Sequence, residues 1–335
     1  MTDESKVILA GDVGGTHTRL ACFVLINGRP KQLAMEVYPS RQYGGVEEIV
    51  ERFTDTYPQT FSAACFGIAG PIKNRICKTS NLPWVVNGDV LDGCLQLDQV
   101  GLLNDLEANA HGIAALEQDD FVLLNPGLSN PTGNRGLISA GTGLGEAALF
   151  WNGYRYQPLS SEGGHADFAP RNDLEIDLLV YLLESYQHVS YERVLSGPGL
   201  HNIYKFLVAT GRGEEPAWLR ENLEEQDPGA VISKAALEQH VPICEAALDL
   251  FVSIYGAEAG NLALKVLATG GMFIGGGIAP KMIEMLRRPP FVSAFWSKGR
   301  MTMLLKDMPI WVIVNDQAAL LGAALVAFGQ GEPTP

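Results

Sequence analysis

The sequence predicts an α/β protein made of two related halves. Three observations carry that expectation. Two glycine-rich turns join strand to strand, in "VILAGDVGGTHTRLACFV" (Val7–Val24) and "GLISAGTGLGEAALFWNG" (Gly136–Gly153). Two apolar strands end on Asn-Asp and run into Ala-rich helices, in "QVGLLNDLEANAHGIAAL" (Gln99–Leu116) and "PIWVIVNDQAALLGAALVAF" (Pro309–Phe328). Between these landmarks strand and helix patterns alternate, without low-complexity sequence or a long linker. Features repeated in the same order within each half indicate duplicated architecture.

Each element has a local reason. The first hairpin reaches a second turn at Asn27-Gly28, and the later one at Asn152-Gly153. Asn-Gly is a strong hairpin signal, so each half is expected to open with a three-stranded antiparallel meander. "GGVEEIVERFTDTY" places Val46, Ile49, Val50 and Phe53 at helical spacing. "FSAACFGIAGP" reads as a buried strand stopped by Gly-Pro. The Asn-Asp pairs at 104–105 and 315–316 suit helix N-capping, and the small residues that follow would let two helices pass closely. "NDLEIDLLVYLLESYQ" is a capped helix with Leu174, Leu178, Tyr181 and Leu182 on one face. A longer helix is expected from about Pro242 to Leu267, carrying Ile243, Ala247, Leu250, Phe251 and Ile254. "GGMFIGGGIAP" returns to strand with glycines at its end, and "TGRGEEPAWLRENLEEQDPG" reads as a polar surface excursion.

Composition narrows the function. With 335 residues, 47% hydrophobic and 19% charged, the chain can bury more than one core. Its net charge of −14 disfavours nucleic acid and anionic lipid as partners, since both need clustered Lys and Arg. An anionic ligand must then be held by backbone N–H groups, a metal ion or a few placed cations. The acidic start "MTDESKVILAGD" has no signal-peptide pattern, and the run "AALLGAALVAF" is too short to span a bilayer. Five scattered cysteines without a CxxC pair read as reduced thiols, and the expected location is cytoplasmic.

Glycine turns let backbone N–H groups approach an anion with no side chain in the way. Two matched turns, one carrying Asp-x-Gly-Gly-Thr, point to phosphate rather than to mere strand connection. No GxxxxGK[ST] motif occurs. A GxGxxA string does, at Gly143, Gly145 and Ala148. That dinucleotide fingerprint needs a following helix, whereas "EAALFWNGY" reads as strand.

The blocks "GDVGGTHTRLA", "LLNDLEANA", "GTGLGEA", "SEGGHADFAP", "SYERVLSGPGL" and "FIGGGIAP" together resemble the bacterial ATP-dependent glucokinases of the hexokinase–actin–Hsp70 superfamily. The resemblance runs in order from about residue 7 to about 328. It implies an actin-like ATPase (ribonuclease H-like) fold, with two related α/β domains and a cleft between them. Residues 1–115 plus 315–335 would form a small domain and 116–314 a large one, with closure on sugar excluding water. His17 departs from the Asn often found in that group. A related sugar-kinase family carries a cysteine-rich zinc motif after its Gly-His; here no cysteine follows before Cys244, so no zinc is expected.

The same resemblance implies roles by position. Asp105 would be the catalytic base, although its place at a strand end and helix start suits a plain cap equally well. Asn104, Asp105, Glu162, His165 and Glu192 would bind the sugar, their amide, imidazole and carboxylates matching adjacent hydroxyls. Glu192 alone would also serve as a helix-start acid. Gly11, Asp12, Val13, Gly14, Gly15 and Thr16 would form the first phosphate turn, and Gly141, Thr142 and Gly143 the second. Gly275, Gly276 and Gly277 would lie against adenosine, with glycine packing as the rival reading. Asp12 would organise Mg²⁺ through water, because Mg²⁺ keeps much of its hydration shell. ATP and glucose are the expected ligands, and a homodimer the expected assembly. The competing functions are a kinase for another hexose, a non-catalytic actin-like ATPase or sugar sensor, and a nicotinamide oxidoreductase.

Overall fold

A computed structural model describes residues 6–79, 81–128 and 131–329. The acidic N-terminal residues 1–5 lie outside that range. The chain divides into two compact units. One comprises the described residues of Met1–Asp120, Asn152–Ser160 and Asn315–Pro335; the other comprises Phe121–Trp151 and Ser161–Val314.

The first unit begins with β1 (Ile8–Val13), β2 (His17–Ile26), β3 (Arg29–Pro39), α1 (Val46–Thr56) and β4 (Ala63–Ile68). A small sheet of β5 (Ile72–Lys73), β6 (Ile76–Lys78) and β7 (Val85–Asn87) follows, then α2 (Gly88–Leu95), β8 (Gly101–Asn104) and α3 (Asp105–Gly112). The main sheet has the order β3-β2-β1-β4-β8. β1, β2 and β3 form the antiparallel meander that the two turn signals predict. Asn27 and Gly28 occupy the turn with φ of 52° and 76°, the doubly left-handed conformation that favours Asn-Gly there. β4 then runs parallel to β1, and β8 parallel to β4.

Alternation along β1 explains the layering. Leu9 and Val13 join Ile49, Val50 and Phe53 of α1 in one apolar cluster. Ile8 and Ala10 join Ala108 of α3 in another, together with Leu320, Ala323 and Ala324 near the C-terminus. The sheet is thus covered by helix on both faces.

The second unit contributes β9 (Phe121–Asn125), β10 (Arg135–Ala140) and β11 (Leu144–Trp151). The strand β12 (Tyr156–Ser161), which up to Ser160 is counted with the first unit, follows a turn at Asn152–Arg155. Then come α4 (Asp173–Leu183), α5 (Gly197–Ala209), α6 (Ala217–Glu225), α7 (Pro228–Leu237) and α8 (Pro242–Val266). The unit ends with β13 (Met272–Gly275), α9 (Ile283–Leu286), α10 (Pro289–Trp296), α11 (Thr302–Lys306) and β14 (Ile310–Ile313). β10 pairs antiparallel with β11 and parallel with β13, and β13 parallel with β14. This repeats the pattern of the first unit, an antiparallel hairpin followed by parallel strands. β9 adds an antiparallel edge on β14.

α8 spans 25 residues, with Ile243, Ala247, Leu250, Phe251 and Ile254 all buried as their spacing predicts. It is buried on nearly every side, the mark of a core helix rather than a surface one. Among the described residues no helix is long and apolar enough to cross a membrane.

Two expectations need correction. The polar stretch after Thr210 is not a simple excursion, because α6 forms within it and buries Leu219 completely. Five charged or amide side chains around one anchoring leucine hid that helix in the sequence. The second Asn-Asp pair does not directly cap its helix. Asn315 accepts from Gln317 N (2.8 Å) in a turn, and α12 (Ala318–Ala327) starts at the next residue. Asn104, by contrast, caps α3 directly, accepting from Leu106 N at 2.9 Å.

Candidate functional site

In the first unit the parallel strands β1, β4 and β8 finish side by side, and strand ends deliver side chains to the rim of a sheet. The register aligns Asp12 with Gly67, and Gly67 with Leu103. Asp105 follows as the first residue of α3. Gly67 carries no side chain between the two acids; a methyl on it would lie 2.7 Å from Ala108 Cβ. Asp12 and Asp105 consequently feel each other. Burial, with the Asp105 and Asp316 charges added, outweighs Arg19 and pushes the Asp12 carboxyl up to about 6. Arg19 Nη1 stands 3.5 Å from Asp12 Oδ2, while its Nη2 bonds Asp316 Oδ2 at 2.7 Å.

The hairpin tip between β1 and β2 is tied from behind. Ser40 Oγ donates to Gly14 O (2.8 Å), and Ser40 N to Thr16 O (2.9 Å). Thr18 and Ser40 hydroxyls share a further bond at 3.0 Å. The two backbone contacts take carbonyls, the wrong end of the peptide for an anion, and all three hold the turn in one shape. Gly11 lies within β1 with Phe66 and Leu20 against its Cα, and Val13 is buried in the apolar cluster. Those two positions contribute backbone only. Asn104 spends its amide on the fold: Oδ1 caps α3 and Nδ2 donates to Gly70 O at 3.1 Å.

In the second unit the turn between β10 and β11 is built from Gly141, Thr142 and Gly143, closed by Gly141 N donating to Gly143 O at 2.9 Å. Gly197 N, in the first turn of α5, donates to Gly141 O at 2.8 Å. A methyl on Gly141 or Gly277 would meet nothing within 4 Å, so both backbones face open space. Gly276, at φ 82°, packs against Ala140 at the end of β10, which brings the "IGGG" stretch beside the turn.

Glu192 joins this group. Its Oε2 accepts from Leu144 N at 3.0 Å, and a methyl on Gly143 would come within 2.5 Å of the same oxygen. Ser196 Oγ donates to Glu192 O (2.8 Å) while also capping α5. The segment Glu162–His165 makes a short turn, with His165 N donating to Glu162 O at 3.0 Å and both side chains exposed. Backbone bonds from Tyr191 N to Ala166 O and from Phe168 N to Val189 O lace that turn to the Glu192 segment. The structure therefore brings together Gly141–Gly143, Gly275–Gly277, Glu162, His165 and Glu192 in one unit. It brings together Asp12, Gly14–Thr16, Asn104 and Asp105 in the other.

Sequence reasoning missed Arg19, Ser40, Gly67 and Asp316. Arg19 lies in the "GDVGGTHTRLA" block and Asp316 in the second Asn-Asp pair, but each acts on a residue distant in the chain that nothing local announces. Gly67 had a visible signal, a lone glycine inside a buried strand, which marks close backbone approach.

A metal ion bound at Asp12 is consistent with the chemistry there. The Asp105 and Asp316 charges that raise the proton affinity of Asp12 would be relieved by a cation, and a single arginine meets only part of that demand. Among the described residues no three His, Cys, Asp or Glu side chains converge to cage a metal. A cation here would draw its remaining ligands from water and phosphate, as Mg²⁺ does.

The glucokinase family pattern matches residues 9–330. A glucokinase of Nostoc sp. is 42% identical over 338 residues, covering 96% of this chain and 98% of its own. A glucokinase of Synechocystis sp. is 40% identical, covering 95% and 97%. The crystal structure of a glucokinase from an Antarctic psychrotroph superposes with a TM-score of 0.84 at 31% identity, covering 97% of this chain and 99% of that one.

Proposed function

The chain belongs to the glucokinase family, with the actin-like ATPase fold, and from that premise we propose that it transfers the γ-phosphoryl group of ATP to the 6-hydroxyl of D-glucose. The observation that carries the reading is the bond from Leu144 N to Glu192 Oε2. It joins a bare glycine turn suited to phosphate and a carboxylate suited to hydroxyls into one piece, as a phosphotransferase acting on a polyol requires.

The roles follow from the chemistry of each position. Glu192, Glu162 and His165 hold sugar hydroxyls, and Asn104 offers its remaining acceptor capacity to a further hydroxyl. Asp105 accepts the proton of the 6-hydroxyl as the new O–P bond forms and the bond from the γ-phosphorus to the ADP oxygen breaks. Gly14–Thr16 and Gly141–Gly143 offer backbone N–H groups to phosphate oxygens, which suits a protein of net charge −14. Gly275–Gly277 provide backbone against which adenosine rests. Mg²⁺, when bound with ATP near Asp12, neutralises charge developing on the phosphates. Asp12, through water, and Arg19, through Asp12 and Asp316, fix that corner.

The test is ADP release with ATP and Mg²⁺ across a panel of hexoses and a no-sugar blank. Glucose well above other hexoses and the blank supports the reading. A stronger response to another sugar overturns the substrate, and silence with every hexose overturns the reaction.

A further inference from the structure

Beneath the sugar-binding turn of the second unit lies a polar group that the proposed chemistry does not use. Glu146 of β11 and Glu258 of α8 are 1% and 0% exposed. Two buried carboxylates in contact repel strongly, and taking either out of water as an anion costs several kcal/mol. Glu258 is provided for: Asn261 Nδ2 donates to its Oε2 at 2.7 Å and Lys265 Nζ to its Oε1 at 3.3 Å. Glu146 is not. Its Oε1 is buried with no donor among the described residues, and the group that hydrogen-bonds it is the Glu258 carboxyl. Acid can bond acid only if one of them keeps its proton. Burial and the Glu258 charge place that proton on Glu146, raising it to about 8.

The pair touches both halves of the sugar-binding apparatus. A methyl added to Gly163, between Glu162 and His165, would collide with Glu146 Oε2, so the loop backbone rests on that carboxyl. Glu258 hydrogen-bonds the Tyr191 hydroxyl, which also receives Asn261 Nδ2 at 3.0 Å. Tyr191 directly precedes Glu192. Lys298 Nζ completes the network from the far side, donating to Asn261 Oδ1 at 2.5 Å and Ala257 O at 2.9 Å. A continuous polar strut thus runs from Gly163 through Glu146 and Glu258 to Tyr191.

We propose that the buried pair Glu146 and Glu258 are positioning residues that hold the Glu162–His165 turn and Glu192 in register for the sugar. This rests on the sugar roles proposed above. The pair touches no substrate; it sets where the groups that do so can stand. Its neutral, hydrogen-bonded form is the functional one, so an amide at 146 should serve and a shortened side chain should not.

The experiment is steady-state kinetics on Glu146→Gln, Glu146→Ala, Gly163→Ala and the double variant Gly163→Ala/Glu146→Ala, with wild type alongside. Glu146→Ala should raise KM for glucose about tenfold or more while KM for ATP and kcat stay within about threefold. Glu146→Gln should keep KM for glucose within about twofold of wild type. Gly163→Ala should raise KM for glucose by collision, and removing the carboxyl in the double variant should undo part of that rise. Effects that couple this way mark residues in direct contact. Thermal melts check folding, and Glu146→Asp, which withdraws the carboxyl from Gly163, replaces Glu146→Ala if that variant does not fold. Unchanged KM for glucose in Glu146→Ala, or simple multiplication of the two single effects, overturns the inference while wild-type activity leaves the proposed function standing. Wild type inactive on every hexose would instead overturn the function itself.

Discussion

Replacing Asp105 by Asn separates a base from a cap. Asp105 Oδ1 accepts from Leu106 N at 2.9 Å, and Asn carries the same oxygen at the same place. Asn104 remains the cap of α3 in either protein. The substitution deletes a negative charge that raises the proton affinity of Asp12, so the folded state loses that repulsion and keeps the Leu106 bond. Thermal stability should therefore hold or rise slightly. Turnover should not. General-base assistance is worth roughly 10²–10⁴-fold, or about 3–5 kcal/mol of barrier. ADP release at saturating glucose should fall by that factor while KM for glucose moves only a few-fold, since the amide still offers an acceptor to the hydroxyl. Asn104→Ala gives the contrasting result. It removes the cap and the bond to Gly70 O, costing about 1 kcal/mol of stability with a far smaller effect on turnover. If Asp105→Asn keeps kcat within fivefold of wild type, or raises KM alone, Asp105 is a cap and the base lies elsewhere.

Three further outcomes follow from the geometry. Gly143→Ala places a methyl 2.5 Å from Glu192 Oε2 and must displace the carboxylate from Leu144 N, so KM for glucose should rise about tenfold; an unchanged KM would show that Glu192 does not hold the sugar. Gly322→Ala puts a methyl into the Ala108 carbonyl where α12 crosses α3, and overpacking of this kind costs about 1–3 kcal/mol. Its Tm should drop by several degrees, and a melt superimposable on wild type would mean that the two helices separate freely. Between pH 6.5 and 8 the folded chain keeps a proton on Glu146, raised to about 8, that the unfolded chain has already released. Stability should therefore fall across that window, by at most about 1.4 kcal/mol per pH unit. Asp12, pushed up to about 6, titrates mostly below this window. His111, held down to about 4 by burial, still binds its proton in the unfolded chain up to about the usual 6.5 and so acts at the lower edge in the opposite sense. Lys298, pulled down to about 8, acts mainly above the window and in the opposite sense. Chemical denaturation of wild type against Glu146→Gln isolates the slope, and equal slopes would show that Glu146 ionises in the folded protein.

Elements whose cause is local were legible in the sequence. Val46, Ile49, Val50 and Phe53 at helical spacing became the buried face of α1, and Asn27-Gly28 became the turn its φ preferences demand. The strand reading of "EAALFWNGY", against the dinucleotide fingerprint, is likewise the observed β11. What could not be read was pairing across the chain. Ser40 reaches Gly14 over 26 residues, and Arg19 reaches Asp316 over 297. Neither partner carries a periodicity or a cap that announces the other. Glu146 was hidden for a different reason. In an alternating strand it looks like a polar, outward position, and only the opposing Glu258, itself inside an apolar helix, makes burial tolerable. The missed start of α12 has a similar origin, because Asn315 can satisfy a turn or a helix with the same bond.

The position of Asp105 is a packing result before it is a chemical one. Ala108 lies one helical turn after Asp105 and therefore on the same face of α3. On one side it sits against Gly67 of β4, where an added methyl would approach its Cβ to 2.7 Å. On the other, its carbonyl fills the space that a side chain at Gly322 of α12 would need. α3 is thus wedged between a strand and a helix, both bare of side chains at the contact. Any larger residue at 67, 108 or 322 must push α3 outward, and Asp105 moves with the helix it begins. Rate enhancement by a positioned base is sensitive to displacements of about 1 Å. The small residues of "LLNDLEANAHG" and "AALLGAALVAF" therefore do more than permit two helices to cross. They set the distance from Asp105 to Asp12, and through it both the charge at the hairpin tip and the place where a proton can be taken.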